Sequence, residues 1–360
     1  MRAHVTALQL FDVAESIDLA RLPALLGTSA VAAKLETKSS APAYVRYHVP
    51  PVQVDAAALG MDDVEGWRLR FRVFDYGVVS VSLTRQFTGD WTEATALAAR
   101  ITSDAALERS AEARCRALVD RIGPALRKPR ERYLSEDYLV FAVTGLDQPM
   151  TADALVRQHG DDIARLVRGE QSALSAQERD EIFRHGLSYL ADDLVVPTWS
   201  TAFVYDTEAG AQAAVEIFEF ANSQLLQFRY YDELLDAEME KLYAELESQR
   251  GYKSWLRRRY TGAARHVHAL FVDVTELTDR TENALKLVGD VYASRLLALA
   301  HSRLGVTAWR DSVHEKLKTL DEIYRFAVDQ TGMERGAFLE LAIVLILVFE
   351  LILFFMGIMQ

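Results

Sequence analysis

The most uniform hydrophobic pattern in the chain lies at its end. Residues 337–359 are apolar apart from Glu340, Glu350 and small residues. A helix over this stretch rises about 34 Å, enough to cross a ~30 Å hydrocarbon core. The pattern predicts a single C-terminal transmembrane helix, a tail anchor over 336–360. Upstream, apolar positions fall alternately three and four apart: Ala211, Ala214, Phe218, Ala221, Leu225, Phe228, Leu235, Met239, Leu242, Leu246, with Asp232 the one polar member of the seam. That spacing predicts a long coiled-coil-like helix. A second helix is expected through Val267, Leu270, Val274, Leu277, Thr281, Ala284, Val288 and Val291, and a third through Val313, Leu317, Leu320, Tyr324 and Ala327. Together they form an expected antiparallel stalk over 207–335.

Residues 1–206 have a different grain. Val5–Phe11 reads as a strand, Ser16–Leu26 as a helix, and Tyr44–Val54, with Pro50 and Pro51, as an edge strand. Trp67, Leu69, Phe71 and Val73 alternate with Arg68, Arg70 and Arg72. Asp75-Tyr76-Gly77 then turns the chain into Val78–Leu83, which makes a hairpin. Helices are expected over Trp91–Ile101, Asp104–Ile122, Asp153–Val167 and Gln177–His185. Further strands are expected over Tyr138–Val143, Leu187–Leu190 and Val195–Tyr205. No regular βαβ period appears. The expected class is α+β: an N-terminal mixed or antiparallel sheet domain, the helical stalk, and one transmembrane helix.

Charge and cysteine content narrow the setting. The net charge of −12 argues against a general nucleic-acid binder. The single cysteine, Cys115, allows no intramolecular disulfide and fits a reducing compartment, most simply as an apolar filler in a helix. Met1–Phe11 lacks an apolar core of signal-peptide length. Arg310, Lys316, Lys318, Arg325 and Arg335 precede the expected anchor and no basic residue follows it. The expectation is therefore single-pass placement in the inner membrane, with the soluble domains facing the cytoplasm.

The Phe74-Asp75-Tyr76-Gly77-Val78-Val79 turn, the acidic helical half and the acid-bearing terminal segment resemble the YagE-type membrane protein family. This is a domain of unknown function shared with the eukaryotic "required for meiotic nuclear division" proteins. Asp75 stands where family members more usually carry Arg. The resemblance implies a membrane-tethered non-enzyme, with a mitochondrial branch that supports organelle translation.

The sequence carries few chemical motifs. There is no P-loop, no His-Glu-x-x-His and no Gly-x-Ser-x-Gly, so no cofactor is expected. His266 and His268 would point about 200° apart on a helix and make a poor metal pair. The doublets Asp62-Asp63, Asp161-Asp162 and Asp192-Asp193 fit turns and caps better than metal ligands. CorA-type magnesium channels are excluded by the single expected span and the missing Gly-Met-Asn signature.

The leading functional expectation is a tail-anchored, self-associating scaffold or tether with an unidentified protein partner. An alternative is an enzyme in which Arg68, Arg70 and Arg72 grip an anionic substrate. A third is an RNA or ribosome tether, which the acidic balance disfavours. Two sites are expected beyond these. Lys253, Trp255, Arg257, Arg258, Arg259 and Arg265 form an acid-free basic and aromatic stretch suited to anionic lipid headgroups. Glu350, about 15 Å deeper than Glu340, would mark an intramembrane contact.

Overall fold

The computed structural model describes residues 1–27, 30–32, 50–61, 66–248, 269–276, 278–279, 291–323 and 347. Its organising element is β1 (Arg2–Ile17), paired antiparallel on one side with β5 (Val78–Thr88) and on the other with β6 (Leu126–Gly145). With β2 (Ala30–Ala32), β3 (Val52–Asp55), β4 (Arg68–Val73), β7 (Leu194–Pro197) and β8 (Thr201–Tyr205), they form one eight-stranded sheet of order β2-β3-β4-β5-β1-β6-β8-β7. All pairings are antiparallel except β6 with β8.

The β4–β5 hairpin closes as its alternation predicts. Gly77 is required there. Its φ is +89°, and a Cβ would sit 1.8 Å from the Ala14 carbonyl oxygen. That close approach docks the turn on β1 through Val13 N–H to Gly77 O and Ile17 N–H to Asp75 O, at 2.9 and 2.8 Å. The turn is a backbone device.

The helices start where side chains can cap them. Helix α1 (Leu22–Leu26) is short and follows a 3-10 turn at Leu19–Arg21, so the helix expected over 16–26 forms only in its second half. Asp90 and Glu93 make a reciprocal capping box at α2 (Trp91–Thr102). Asp104 caps α3 (Ala105–Ile122), Thr151 caps α4 (Ala152–Arg168) and Ser175 caps α5 (Ala176–Arg184). One sheet face carries Val5, Ala7, Phe11, Leu69, Phe71, Val81, Leu83, Phe141 and Phe203. It packs into a single apolar core with Leu97, Leu107, Cys115, Leu118, Leu155, Ile163 and Leu166 from α2, α3 and α4.

The chain divides into two compact units, Met1–Tyr230 with Thr278–Arg310, and Tyr231–Leu277 with Asp311–Gln360. Helix α6 (Glu208–Ser248) contributes to both, and α7 (Val291–Leu304) belongs to the first. In the second unit Leu235, Leu242, Leu270, Val274, Val313, Leu317 and Leu320 are buried. The polar seam residue Asp232 is held by Lys316 Nζ at 2.8 Å and Ser312 Oγ at 2.9 Å.

The expected class needs correction. Strands and helices interleave around one sheet. Helices α2 and α3 fall between β5 and β6, and α4 and α5 connect β6 to the β7–β8 hairpin before the parallel pairing of β8. The result is a mixed α/β fold. Two features hid it. β6 is 20 residues long, but only its apolar end, Tyr138–Val143, looks like a strand. Val195–Tyr205 is two strands joined at Thr198–Ser200, while Leu187 makes only an isolated bridge to Val195.

The membrane expectation is corrected too. Among the described residues no helix is long and apolar enough to cross a membrane. Helix α6 has the length, at 41 residues, but carries Glu216, Glu219, Asp232 and Glu233. The expected anchor, including Glu350, lies outside the described residues except for Leu347. Single-pass placement in the inner membrane, with domains facing the cytoplasm, therefore has no spanning helix among the described residues to rest on and is set aside.

Candidate functional site

The second face of the sheet is unusual because it is buried and polar. On β4 and β5 it presents Arg72, Ser80 and Ser82. On β1 it presents Thr6, Leu8, Leu10 and Asp12, and on β6 Glu136 and Tyr138. Helix α6 meets this face with Gln212, Glu216, Glu219, Ser223 and Gln227, spaced four, three, four and four apart and hence on one stripe. From Ala213 to Phe228 every residue of α6 is buried. The polar stripe from Glu216 to Gln227 and the apolar seam through Phe218, Ala221 and Leu225 are thus both removed from water.

Arg72 is the centre of the seam. Its Nη2 lies 3.1 Å from Glu216 Oε1 and its Nη1 2.9 Å from Glu219 Oε2, with all three side chains at least 94% buried. Gln212 Nε2 adds a donor to Glu216 Oε1 at 3.1 Å. Directly across the β4–β5 ladder, Ser80 faces Arg72 and Ser82 faces Arg70. Among the described residues both serine hydroxyls are buried without a hydrogen-bond partner.

Further contacts extend the seam. Asp12, 1% exposed, accepts from Arg130 Nε at 3.0 Å and Gln227 Nε2 at 3.3 Å, while the Arg130 guanidinium lies 3.8 Å from the centre of the Tyr230 ring. Burial outweighs these partners and pushes the Asp12 carboxyl up to about 6. Glu136 pairs with Arg229, and burial raises its pKa as well. Tyr76 Oη and Ser223 Oγ are 2.6 Å apart. On α7, His301 Nε2 meets Gln224 Oε1 at 2.7 Å. Burial, helped by the Arg310 charge, lowers this imidazole to about 4 and keeps it neutral.

The three arginines expected to grip an anion are not assembled for that task. Arg68 is exposed and Arg70 half-buried, whereas Arg72 is occupied by the chain's own carboxylates. Lys253, Trp255, Arg257, Arg258, Arg259 and Arg265 lie outside the described residues, as do Glu350, His266, His268 and Asp62-Asp63. Asp193 accepts from the backbone N–H of Tyr189 and Leu190 at 2.7 and 3.1 Å, which is turn chemistry. Among the described residues no group of three or more His, Cys, Asp or Glu is placed to hold a metal ion. Arg130 and Glu136 escaped the sequence reading because Leu126–Asp137 is dense in charge and gives no strand signal, and Asp12 lies just past the strand expected over Val5–Phe11. The stripe at 212, 216, 219, 223 and 227 was a visible signal, but it resembles a solvated helix face.

Residues 2–212 match the family model described as "Uncharacterized protein MJ0711, N-terminal domain". A relative from Methanocaldococcus jannaschii, "Uncharacterized protein MJ0711", is 22% identical over 229 residues, which is 63% of this chain and 68% of the relative. No solved structure matches. The YagE-type resemblance is thereby corrected. The matching family is a different one, and the Phe74–Val79 turn that carried the resemblance is explained by hairpin closure against Ala14.

Proposed function

We propose, from the premise that the chain belongs to the family of the MJ0711 N-terminal domain, that it is a non-enzymatic scaffold whose sheet clamps the first half of α6. The observation that carries this reading is the Arg72 bridge to Glu216 and Glu219. The cationic group best placed to grip an anionic substrate is turned inward to fix a helix. A buried bridge of this kind adds little net stability, but it imposes one register, because any slip of α6 leaves charge unpaired in a dry seam. Register control is what a scaffold needs from a clamp.

Hydrogen exchange on the full chain tests this. Residues 211–228 should exchange with the slowest amides of β1 and β5 as one cooperative unit. Exchange of α6 well ahead of the sheet would overturn the clamp. Titration with inorganic phosphate is the second arm. Saturable phosphate binding that is lost in Arg72→Met would restore the anionic-substrate enzyme and defeat the scaffold.

A further inference from the structure

Gln9 interrupts the apolar face of the sheet. Gln9 lies on β1 between Ala7 and Phe11, on the same face as both, and is only 8% exposed. Among the described residues its side-chain amide makes no hydrogen bond, although four groups on that amide can donate or accept. Its direct partner across the β1–β6 ladder is Asp137, so the two side chains leave the sheet together. Above them is a cavity of about 210 Å³ between the sheet, the end of α2 and the first turn of α3. Its walls include Ser103, Asp104, Glu108 and Ser200.

The cavity has a definite chemical character. It contains three carboxylates, from Asp104, Glu108 and Asp137, and none of its thirteen lining residues is basic. Asp104 Oδ1 is engaged by Ala106 N–H and Leu107 N–H at 2.9 and 3.2 Å, so it serves the helix first. Asp137 stands at the rim, partly open to solvent. Partial burial raises its pKa, opposed only by its own backbone N–H. The carboxylates do not converge on a point as a metal site demands. They are spread along a slot smaller than the 300–1,000 Å³ of drug-sized pockets.

We propose that this cavity binds a small organic cation, an amine or guanidine bearing several N–H donors. The Gln9 carbonyl oxygen accepts from it at the floor, and Asp137 and Glu108 neutralise it at the walls. The ligand would satisfy the amide that the fold leaves without a partner and pair with the exposed Asp137 carboxylate at the rim. The site uses the face of the sheet opposite to the α6 clamp and does not depend on the scaffold reading.

Calorimetric titration of the full chain with agmatine and with putrescine tests the proposal. 1,4-Butanediol serves as the neutral counterpart of putrescine, and magnesium chloride as the metal alternative. Saturable binding of at least one of the two cations is expected, with neither control binding. Asp137→Asn and Gln9→Met should each weaken it about tenfold or more, the loss expected for a charge-assisted or buried hydrogen bond. The denaturation midpoint of Asp137→Asn, at the rim, should stay close to wild type, which separates lost binding from lost folding. In the bound state the Asp137 carboxyl should titrate at lower pH than in the free protein, read by carboxyl-carbon NMR. Absence of binding by both cations, equal binding of butanediol, binding of magnesium instead, or cation binding indifferent to both substitutions would each overturn the proposal.

Discussion

The two faces of the sheet are built by opposite rules. Against α2, α3 and α4 the sheet offers Val5, Phe11, Phe71, Val81 and Phe141, and burial alone holds the layers. Against α6 it offers Arg72, Ser80, Asp12 and Glu136, each buried or nearly so and matched to a polar stripe on the helix. An apolar face tolerates small shifts of its partner, since one methyl group replaces another. A face of buried charges does not. The comparison teaches that the same strands can serve stability on one side and register on the other.

The largest expected effect comes from breaking each face at adjacent residues. Phe71→Ala should cost about 3–5 kcal/mol through its cavity. Arg72→Met should cost about as much, because Glu216 and Glu219 are left buried without their cation. The faces should separate in the rescue. Arg72→Met combined with Glu216→Gln and Glu219→Leu removes the stranded charges and should recover most of the loss, while no polar substitution on α6 should rescue Phe71→Ala. Urea denaturation of the four proteins measures this. Failure of the combined variant to recover would mean that the bridge itself contributes the stability.

How much of this was legible follows the same division. The apolar face was readable because Trp67, Leu69, Phe71 and Val73 alternate at the strand period, and α2 through α5 announce themselves by caps at Asp90, Asp104, Thr151 and Ser175. The polar face was hidden because buried charge looks like surface charge in a sequence. Arg72 stands in the sequence as one of three alternate arginines, and Glu216 and Glu219 fall between the apolar seam positions of the expected coiled-coil-like helix. The first half of β6 was lost for a different reason: Arg127, Glu131 and Arg132 are exposed and, with Arg130, leave no apolar alternation to mark a strand. Gln9 carried a faint signal as the polar residue of an otherwise apolar run from Ala7 to Phe11.

An effect of intermediate size should appear with pH, and it lies wholly on the α6 side. Asp12 is raised from 3.8 to about 6, so the folded protein holds a proton that the unfolded chain lacks between these values. Stability from this group therefore grows as pH falls through 6. His301 is lowered from 6.5 to about 4, so there the unfolded chain holds the extra proton. Stability from this group is lost as pH falls below 6.5. Each amounts to roughly 3 kcal/mol with opposite sign, so they nearly cancel between pH 4 and 6. Asp12→Asn should unmask acid destabilisation between pH 6.5 and 4, and His301→Gln should unmask acid stabilisation between pH 6 and 4. Denaturant midpoints at pH 7 and pH 5 check the signs, and the difference between the two variants removes the titration of surface carboxylates common to both. Parallel profiles for both variants would show that neither group is as dry as the seam requires.

The smallest effect tests the seam where it is least satisfied. Ser80 and Ser82 place hydroxyls under α6 with no partner among the described residues, beside a guanidinium committed to Glu216 and Glu219. A buried hydroxyl without a hydrogen bond costs about 1–3 kcal/mol relative to water, whereas alanine fills almost the same space and demands nothing. Ser80→Ala and Ser82→Ala should therefore each be neutral to stabilising, by up to about 1 kcal/mol. Thr84→Ala, farther along β5, loses the 3.1 Å contact with Thr6 Oγ1 and should instead destabilise slightly. Ser80 is fully buried directly across the ladder from Arg72, so a larger valine there is expected to crowd the guanidinium. Denaturation of Ser80→Ala, Ser80→Val and Thr84→Ala separates the terms. The expected order of stability is Ser80→Ala at or above wild type, then Thr84→Ala, then Ser80→Val. A clear loss in Ser80→Ala would mean that bridging water satisfies the hydroxyl, and the α6 side would then be a wet interface whose charges are screened rather than a dry one whose charges set register.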